Sequence, residues 1–167
     1  MKVLTLSQPW ATLVAIGAKK IETRSWNTRY RGPLLIHAAA GLGPGGKAGL
    51  VDLCETEPFT SVLAPLWSPG TFFAPVSLPF GAIVARCELT AVHQIPSAPM
   101  HFPRGVPADH PLASYPVILP PLRDIPERSF GDYTPGRYAW LLSDVQALPT
   151  PIPAKGQLGL WRWEGDL

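Results

Sequence analysis

The chain has 167 residues, 46% of them apolar, and its 14 Lys and Arg against 12 Asp and Glu give a net charge of +2. This apolar content is enough for one core, while 21 prolines and 15 glycines exclude long helical bundles and coiled coils. No apolar run approaches the roughly 20 residues that cross a bilayer, so we expect a soluble, cytoplasmic protein with no membrane partner.

The first forty residues predict a strand, a helix and two further strands. Residues 3–6 alternate in polarity, and an apolar stripe over about residues 9–16 indicates a helix. Residues 20–26 alternate strictly, which predicts a strand whose polar face carries Lys20, Glu22, Arg24 and Trp26. Residues 31–33 indicate a turn before a compact apolar strand at residues 34–38.

Two proline-rich insertions, at about residues 57–79 and 96–136, interrupt the regular pattern of the remaining chain. A short helix and three strands are predicted around them, at about residues 47–54, 81–95, 138–143 and 159–163. Residues 149–153 are interpreted as a proline-rich bend. We therefore predict one domain over residues 1–167, of the mixed, β-rich α+β class, built as a small β-barrel with an N-terminal helix.

The spacing of cysteine and histidine predicts neither a metal site nor a disulfide. Cys54 and Cys87 form no CxxC motif, so we expect two buried free thiols. His37 lies inside an apolar strand, which favours a core or cleft-wall position. The other histidines lack metal-ligand spacing: His93, His101 and His110. Nucleotide-binding and hydrolase signatures such as the P-loop and GxSxG are absent, and we predict no cofactor.

Positive charge is concentrated at the start of the chain. Residues 1–31 carry a net charge of +5, so residues 32–167 carry −3. Such asymmetry is typical of a surface that meets a phosphate-bearing partner, although a run of Lys and Arg also forms an ordinary solvated face.

Three charged residues cluster where the first helix ends and the next strand begins. Glu22 could accept hydrogen bonds from base amino groups, and Arg24 could bind a phosphate or a guanine edge. Lys19, at the mouth of the strand, could neutralise a phosphate or act as a general base if its pKa is depressed. The alternative is a structural pair of Glu22 and Arg24 on an exposed strand.

Aromatic residues lie among these cations, which favours stacking on a single-stranded nucleic acid. Trp26 is the better stacking candidate because it lies on the polar face of its strand, whereas Trp10 belongs to the apolar stripe of the helix. The residues predicted to form a nucleic-acid site are Lys19, Glu22, Arg24, Trp26, Arg29 and Arg31.

Several ordered motifs resemble the ASCH domain family, named for activating signal cointegrator-1 homology. They are LSQPWA at residues 6–11, IGxKxxExRSW at 16–26, YRGPLLIHA at 30–38, YAW at 138–140 and PIPAKGQxGLW at 151–161. The resemblance implies a PUA-like β-barrel, related to RNA-binding domains, in which Lys19, Glu22 and Arg24 line a cleft beside the first helix. It also implies a divided function, because the family includes nucleic-acid-binding modules, amidohydrolases of N4-acetylcytidine and ribonucleases.

One position departs from the amidohydrolase branch of that family. That branch has a threonine nucleophile where this chain has Glu22, with a lysine matching Lys19 and a glutamate that has no match here. Thr23 is one residue away and faces the other side of a strand. A threonine mechanism is therefore not expected, although Lys19 and Glu22 could still activate a water by acid–base catalysis.

These observations leave three hypotheses. The first is a protein that binds single-stranded or modified RNA, with Glu22 at the base and cations at the phosphates. The second is a small hydrolase of a modified nucleoside or of RNA, with Lys19 and Glu22 as catalytic residues. The third is a protein-interaction module whose partner surface is formed by Trp67, Phe72 and Phe73.

Overall fold

A computed structural model describes residues 1–66, 78–96 and 126–166. Its centre is one six-stranded sheet with the strand order β2-β5-β4-β3-β1-β6. The strands are β1 (Lys2–Leu6), β2 (Ile21–Arg24), β3 (Gly32–Ala38), β4 (Ala82–Gln94), β5 (Tyr138–Pro153) and β6 (Leu160–Arg162). The pair of β1 and β3 is parallel, and the other four pairs are antiparallel.

The sheet curls into a half-barrel with β2 and β6 at its two edges. Three register shifts in the pairing of β4 with β5 bend these long strands, because each bulge inserts an unpaired residue and increases the local twist. The predicted β-rich architecture is confirmed. Closure into a complete PUA-like barrel and the single domain over residues 1–167 remain predictions.

Helix α1 (Trp10–Ala15) packs its buried face on the sheet, and Gly17, just beyond its C-cap Ile16, has a φ of +76° that suits glycine. Ala11 and Val14 join the core formed by β1, β3 and β4. Leu13 lies in a second apolar cluster with Phe59 and Phe130. Helix α1 is thereby held between the sheet and the segments that follow it. Within the described residues, no helix combines the length and apolar character needed to span a membrane.

The described part of the first proline-rich insertion, up to residue 66, contains helical turns. After α2 (Gly46–Cys54), the chain forms α3 (Phe59–Leu63) and a 3₁₀ turn at Ala64–Leu66. The reason is that Phe59 and Leu63 bury their side chains in the second cluster, and this packing overrides the weak local pattern. Residues 67–77 and 97–125 lie outside the described residues, and the second insertion ends in a 3₁₀ helix, Pro126–Phe130.

The predicted bend at residues 149–153 lies within β5, which continues to Pro153 but shifts its register against β4 between Ala147 and Ile152. Pro149 and Pro151 lie between Ala147 and Ile152, where the register shifts and β5 has no partner residue in β4. Pro153 stands opposite Ala82, and the next residue, Ala154, donates its N–H to the carbonyl oxygen of Gly81 beside β4, so Pro153 turns its nitrogen away from β4. The three prolines therefore stand where the ladder with β4 needs no N–H donor.

Both thiols are buried and free, as predicted. Cys54 is 0% exposed and Cys87 is 1% exposed. Burial, with a smaller effect of a neighbouring glutamate in each case, raises the pKa of Cys54 to about 11 and that of Cys87 to about 12. Thiols that stay protonated are poor nucleophiles, so both cysteines serve as core residues.

Candidate functional site

A cavity of about 410 Å³ opens beside α1, within the size range of small-molecule sites. Three stretches that are distant in sequence form its walls: the start of α1, strand β2 and residues 129–132. The lining residues are Leu6, Ser7, Trp10, Glu22, Thr23, Arg24, Ser129, Phe130, Gly131 and Asp132.

Strand β2 places Glu22 and Arg24 in this cavity. It pairs with β5, with Glu22 opposite Trp140 and Arg24 opposite Tyr138. The Glu22 carboxylate lies 3.1 Å from Arg24 Nε and 3.5 Å from Lys19 Nζ. The face expected to be exposed is largely covered, since Glu22 is 7% exposed. The three residues that the sequence singled out are therefore brought together, with one negative charge between two positive ones.

Lys19 is enclosed rather than exposed at the mouth of the strand. Its ammonium donates hydrogen bonds to the carbonyl oxygens of Ile21 and Phe130 and faces Glu22. Burial lowers the pKa of Lys19, and the carboxylates of Glu22 and Glu127 oppose this effect. Two backbone carbonyl groups accept hydrogen bonds from the ammonium, and Glu22 lies 3.5 Å from it, so Lys19 contacts the cavity residue Glu22 from behind the cavity surface.

Glu127 is a site residue that sequence reasoning missed. Its carboxylate accepts hydrogen bonds from the backbone N–H groups of Lys20 (2.8 Å) and Ile21 (3.0 Å), at the start of β2. It is 8% exposed and does not line the cavity. No sequence signal could have found it, because it is separated from β2 by more than a hundred residues and lies in the proline-rich insertion.

The opposite wall, residues 129–132, is fixed against β2. The backbone N–H of Asp132 donates a 3.0 Å hydrogen bond to Thr23 Oγ1. A Cβ at Gly131 would lie 2.9 Å from Tyr133 Cε2 and 3.0 Å from Thr23 Cγ2, so a side chain there would push its neighbours apart. The Asp132 carboxylate lies 3.2 Å from Arg137 Nε. The hydroxyl of Thr23 is thus committed to holding the wall.

A second cavity, of about 450 Å³, lies on the other side of Arg24 and contains Trp26. The Trp26 ring meets that of Trp140 edge to face, with centroids 4.7 Å apart. Trp10, expected in the core, is only partly buried and lines the first cavity. The other two predicted residues are exposed and line neither cavity: Arg29 and Arg31.

The predicted core or wall position of His37 is confirmed. It is wholly buried, and its Nε2 lies 3.0 Å from the carbonyl oxygen of Ala154. Burial lowers the pKa of His37, while the bond to Ala154 opposes this. Within residues 1–66, 78–96 and 126–166, no three His, Cys, Asp or Glu side chains meet as a metal site would require. His101 and His110 lie outside these ranges.

Comparison with known proteins shows short matches to two proteins and a match to one family over most of the chain. Activating signal cointegrator 1 of Homo sapiens is 51% identical over 37 residues, which is 22% of this chain and 6% of that protein. The Mus musculus protein of that name is 51% identical over 41 residues, 25% of this chain and 7% of the other. The family described as "ASCH domain" matches residues 4–141. This range contains both walls of the first cavity and most of the chain, and the chain therefore belongs to the ASCH domain family.

Proposed function

We propose that this protein binds single-stranded or modified RNA and holds one base in the cavity beside α1. The ASCH family is associated with RNA binding, which supports this class of ligand. The observation that carries the proposal is the Glu22 carboxylate, which lines the cavity between two cations.

The carboxylate suits the polar edge of a base. Glu22 is shielded from solvent, and an ionised acceptor in such a place forms strong hydrogen bonds with amino or imino N–H groups. Lys19 and Arg24 balance the charges of Glu22 and Asp132, the two carboxylates that line the cavity, so the site carries no net negative charge that would repel a phosphate-bearing ligand. The partly buried Trp10 supplies an aromatic surface for the base.

The phosphates are assigned to the exposed cations of the same region. The Arg24 side chain is 25% exposed, and Arg29 and Arg31 are exposed after it in sequence. Lys19 has no part in phosphate contact because it is enclosed. The RNA strand would thus cross the positively charged start of the chain, and RNA is the expected partner.

The test is the salt-dependent binding of a labelled single-stranded RNA, followed by fluorescence anisotropy at about 50 and 200 mM salt. Arg24→Ala is expected to lower affinity about tenfold and to reduce the slope against salt by about 0.7, the value for one phosphate contact. Arg86→Ala is the charge-matched control, because Arg86 is exposed on β4 and lines neither cavity. Equal effects of the two variants, or no binding by the unaltered protein, would refute the proposal.

A hydrolase is the second candidate, favoured by one observation. Glu22 lines the cavity beside a buried lysine, and such a carboxylate can take a proton from an attacking water. Against it, the ammonium of Lys19 is bonded to two backbone carbonyl groups and Glu127 is bonded to the backbone. Incubation with N4-acetylcytidine and with RNA, followed by chromatography, tests this: product that disappears in Glu22→Gln would make the protein an enzyme.

The third hypothesis, a protein-interaction module, rests on Trp67, Phe72 and Phe73, which lie outside the described residues. Identification of a defined protein partner, together with the absence of RNA binding and of hydrolysis product, would support this hypothesis over the other two.

A further inference from the structure

The two cavities are neighbours and share part of their walls. Ser7 and Arg24 line both, so the Arg24 side chain stands between the first cavity and the second. The two spaces are similar in size, about 410 and 450 Å³. A ligand with two similar units, joined by a short link, could therefore place one unit on each side of Arg24.

The second cavity offers apolar surfaces that are held in place. Trp26 is fixed on one side by the Trp140 ring, which is itself 0% exposed. Leu158, whose side chain is 99% exposed, also lines this cavity. Neither surface is hydrogen-bonding, so both suit the flat face of a base.

The loop that carries Leu158 is anchored at both ends. Before it, the Gln157 carbonyl accepts a 3.0 Å hydrogen bond from Thr5 Oγ1. Thr5 Oγ1 accepts one in turn from Trp161 Nε1, also at 3.0 Å. After it, Gly159 has a φ of +68°, which only glycine adopts easily. Leu158 is thus an exposed side chain on a fixed backbone, which reduces the entropy cost of packing on a ligand.

Arg24 is suited to the link between the two units. Its Nη2 donates a 2.7 Å hydrogen bond to the Thr5 carbonyl, and its Nε faces Glu22. The remaining nitrogen, Nη1, has no acceptor within the described part of the chain. The guanidinium is thus held by one hydrogen bond and by the charge of Glu22, and Nη1 remains to contact a phosphate.

We infer that this protein binds two consecutive nucleotides of a single strand, one base in each cavity, with Arg24 at the phosphate that joins them. The inference rests on the proposed RNA binding and adds a second base subsite formed by Trp26 and Leu158.

Site-directed photocrosslinking tests the arrangement. Two isomers of the dinucleotide UpU would carry 4-thiouridine at the first or at the second position and would be crosslinked to the full chain. Trypsin places diagnostic residues of the two cavities on different peptides: Ser129–Asp132 of the first fall on peptide 129–137, and Trp26 and Gln157–Gly159 of the second fall on peptides 25–29 and 156–162. Peptide 3–19 contains residues of both cavities and is not used to distinguish them. We expect each isomer to label the peptides of a different cavity. Labelling of one and the same cavity by both isomers would overturn the inference.

Affinity measurements supply an independent readout. Leu158→Ser is expected to weaken UpU binding severalfold and to leave uridine 5′-monophosphate unchanged, while Trp26→Leu weakens UpU about tenfold. Leu66→Ser is the matched control, since Leu66 is 44% exposed and lines neither cavity. If UpU and the mononucleotide bind equally well and Leu158→Ser changes neither, the second subsite is refuted while RNA binding stands. If no RNA probe binds the unaltered protein, the proposed function itself fails.

Discussion

Lys19 Nζ donates a 2.7 Å hydrogen bond to the carbonyl oxygen of Phe130, a residue 111 positions later in the chain. This bond ties the entry to β2 to the wall segment of the first cavity. Because the ammonium also faces Glu22, one enclosed charge holds both sides of the site together. The shape of the cavity therefore depends on a residue that lies behind its surface.

Replacing Lys19 by an uncharged residue should lower the stability of the folded protein. Lys19→Met leaves Glu22 with one cation fewer and two carbonyl groups without a donor, so the free energy of unfolding should fall by about 3 to 5 kcal/mol. Urea unfolding followed by tryptophan fluorescence measures this. The neighbouring Lys20 is exposed, and Lys20→Met should change stability by less than about 0.5 kcal/mol. Similar values for the two variants would contradict the structural role of Lys19.

Glu127 should be needed to hold the start of β2. In Glu127→Gln the amide NH₂ would face one of the two backbone N–H groups, which leaves a buried donor without an acceptor. We expect a loss of about 1 to 3 kcal/mol in the free energy of unfolding. Glu55→Gln, at an exposed position, serves as the control in the same urea titration. A Glu127 variant as stable as this control would show that the contact with β2 contributes nothing.

Gly156 is predicted to tolerate no side chain. A Cβ there would lie 2.5 Å from His37 Cε1 and 2.9 Å from His37 Nδ1, and the enclosed imidazole has no room to move. Gly156→Ala should therefore destabilise the protein by about 1 to 3 kcal/mol. Gly41 has open space around its Cβ position, so thermal unfolding of Gly41→Ala gives the reference. Equal melting temperatures for the two variants would exclude the predicted clash.

His37 should also make the stability depend on pH. Its pKa is lowered in the folded protein by burial, so the unfolded chain, with a histidine pKa of about 6.5, binds more protons in weak acid. The free energy of unfolding should therefore fall as the pH drops from about 7.5 to about 5.5. Above neutral pH, His37 is neutral in both the folded and the unfolded chain, so a further rise in pH should not change the free energy of unfolding through this residue.

The contribution of His37 can be separated from that of His93. The pKa of His93 is also lowered, by burial and by the charge of Arg31, and it acts in the same direction. His37→Gln and His93→Gln, compared with the unaltered protein in urea titrations at both pH values, should each lose part of the decline. An unchanged decline in His37→Gln would contradict the assignment.

Local pattern predicted the elements whose own residues carry a clear hydrophobic period. The periodicity over β4 and the stripe of α1 place both elements within a residue or two of their observed bounds. The charged cluster at the start of β2 was predicted for a related reason, since Lys19, Glu22 and Arg24 lie within six positions. Their ion pairs follow from short chain distances.

The features that the sequence did not predict depend on contacts between residues that are distant in the chain. Burial of Lys19 could not be predicted, because charged side chains are rarely enclosed and its acceptor on Phe130 belongs to another part of the chain. Nothing in the sequence around Glu127 indicates that its carboxylate binds the backbone of β2. Helix α3 forms because Phe59 and Leu63 pack near Leu13, which is a tertiary effect. The second cavity needs β2 and the Leu158 loop side by side, and only the folded sheet provides that.

The alternating prolines of β5 have a consequence for self-association. A chain that approached the edge of residues 149–153 would meet three positions that lack the N–H donor a β-ladder requires. Strand addition is therefore disfavoured along this stretch, and a partner that docks there has to be recognised through side chains.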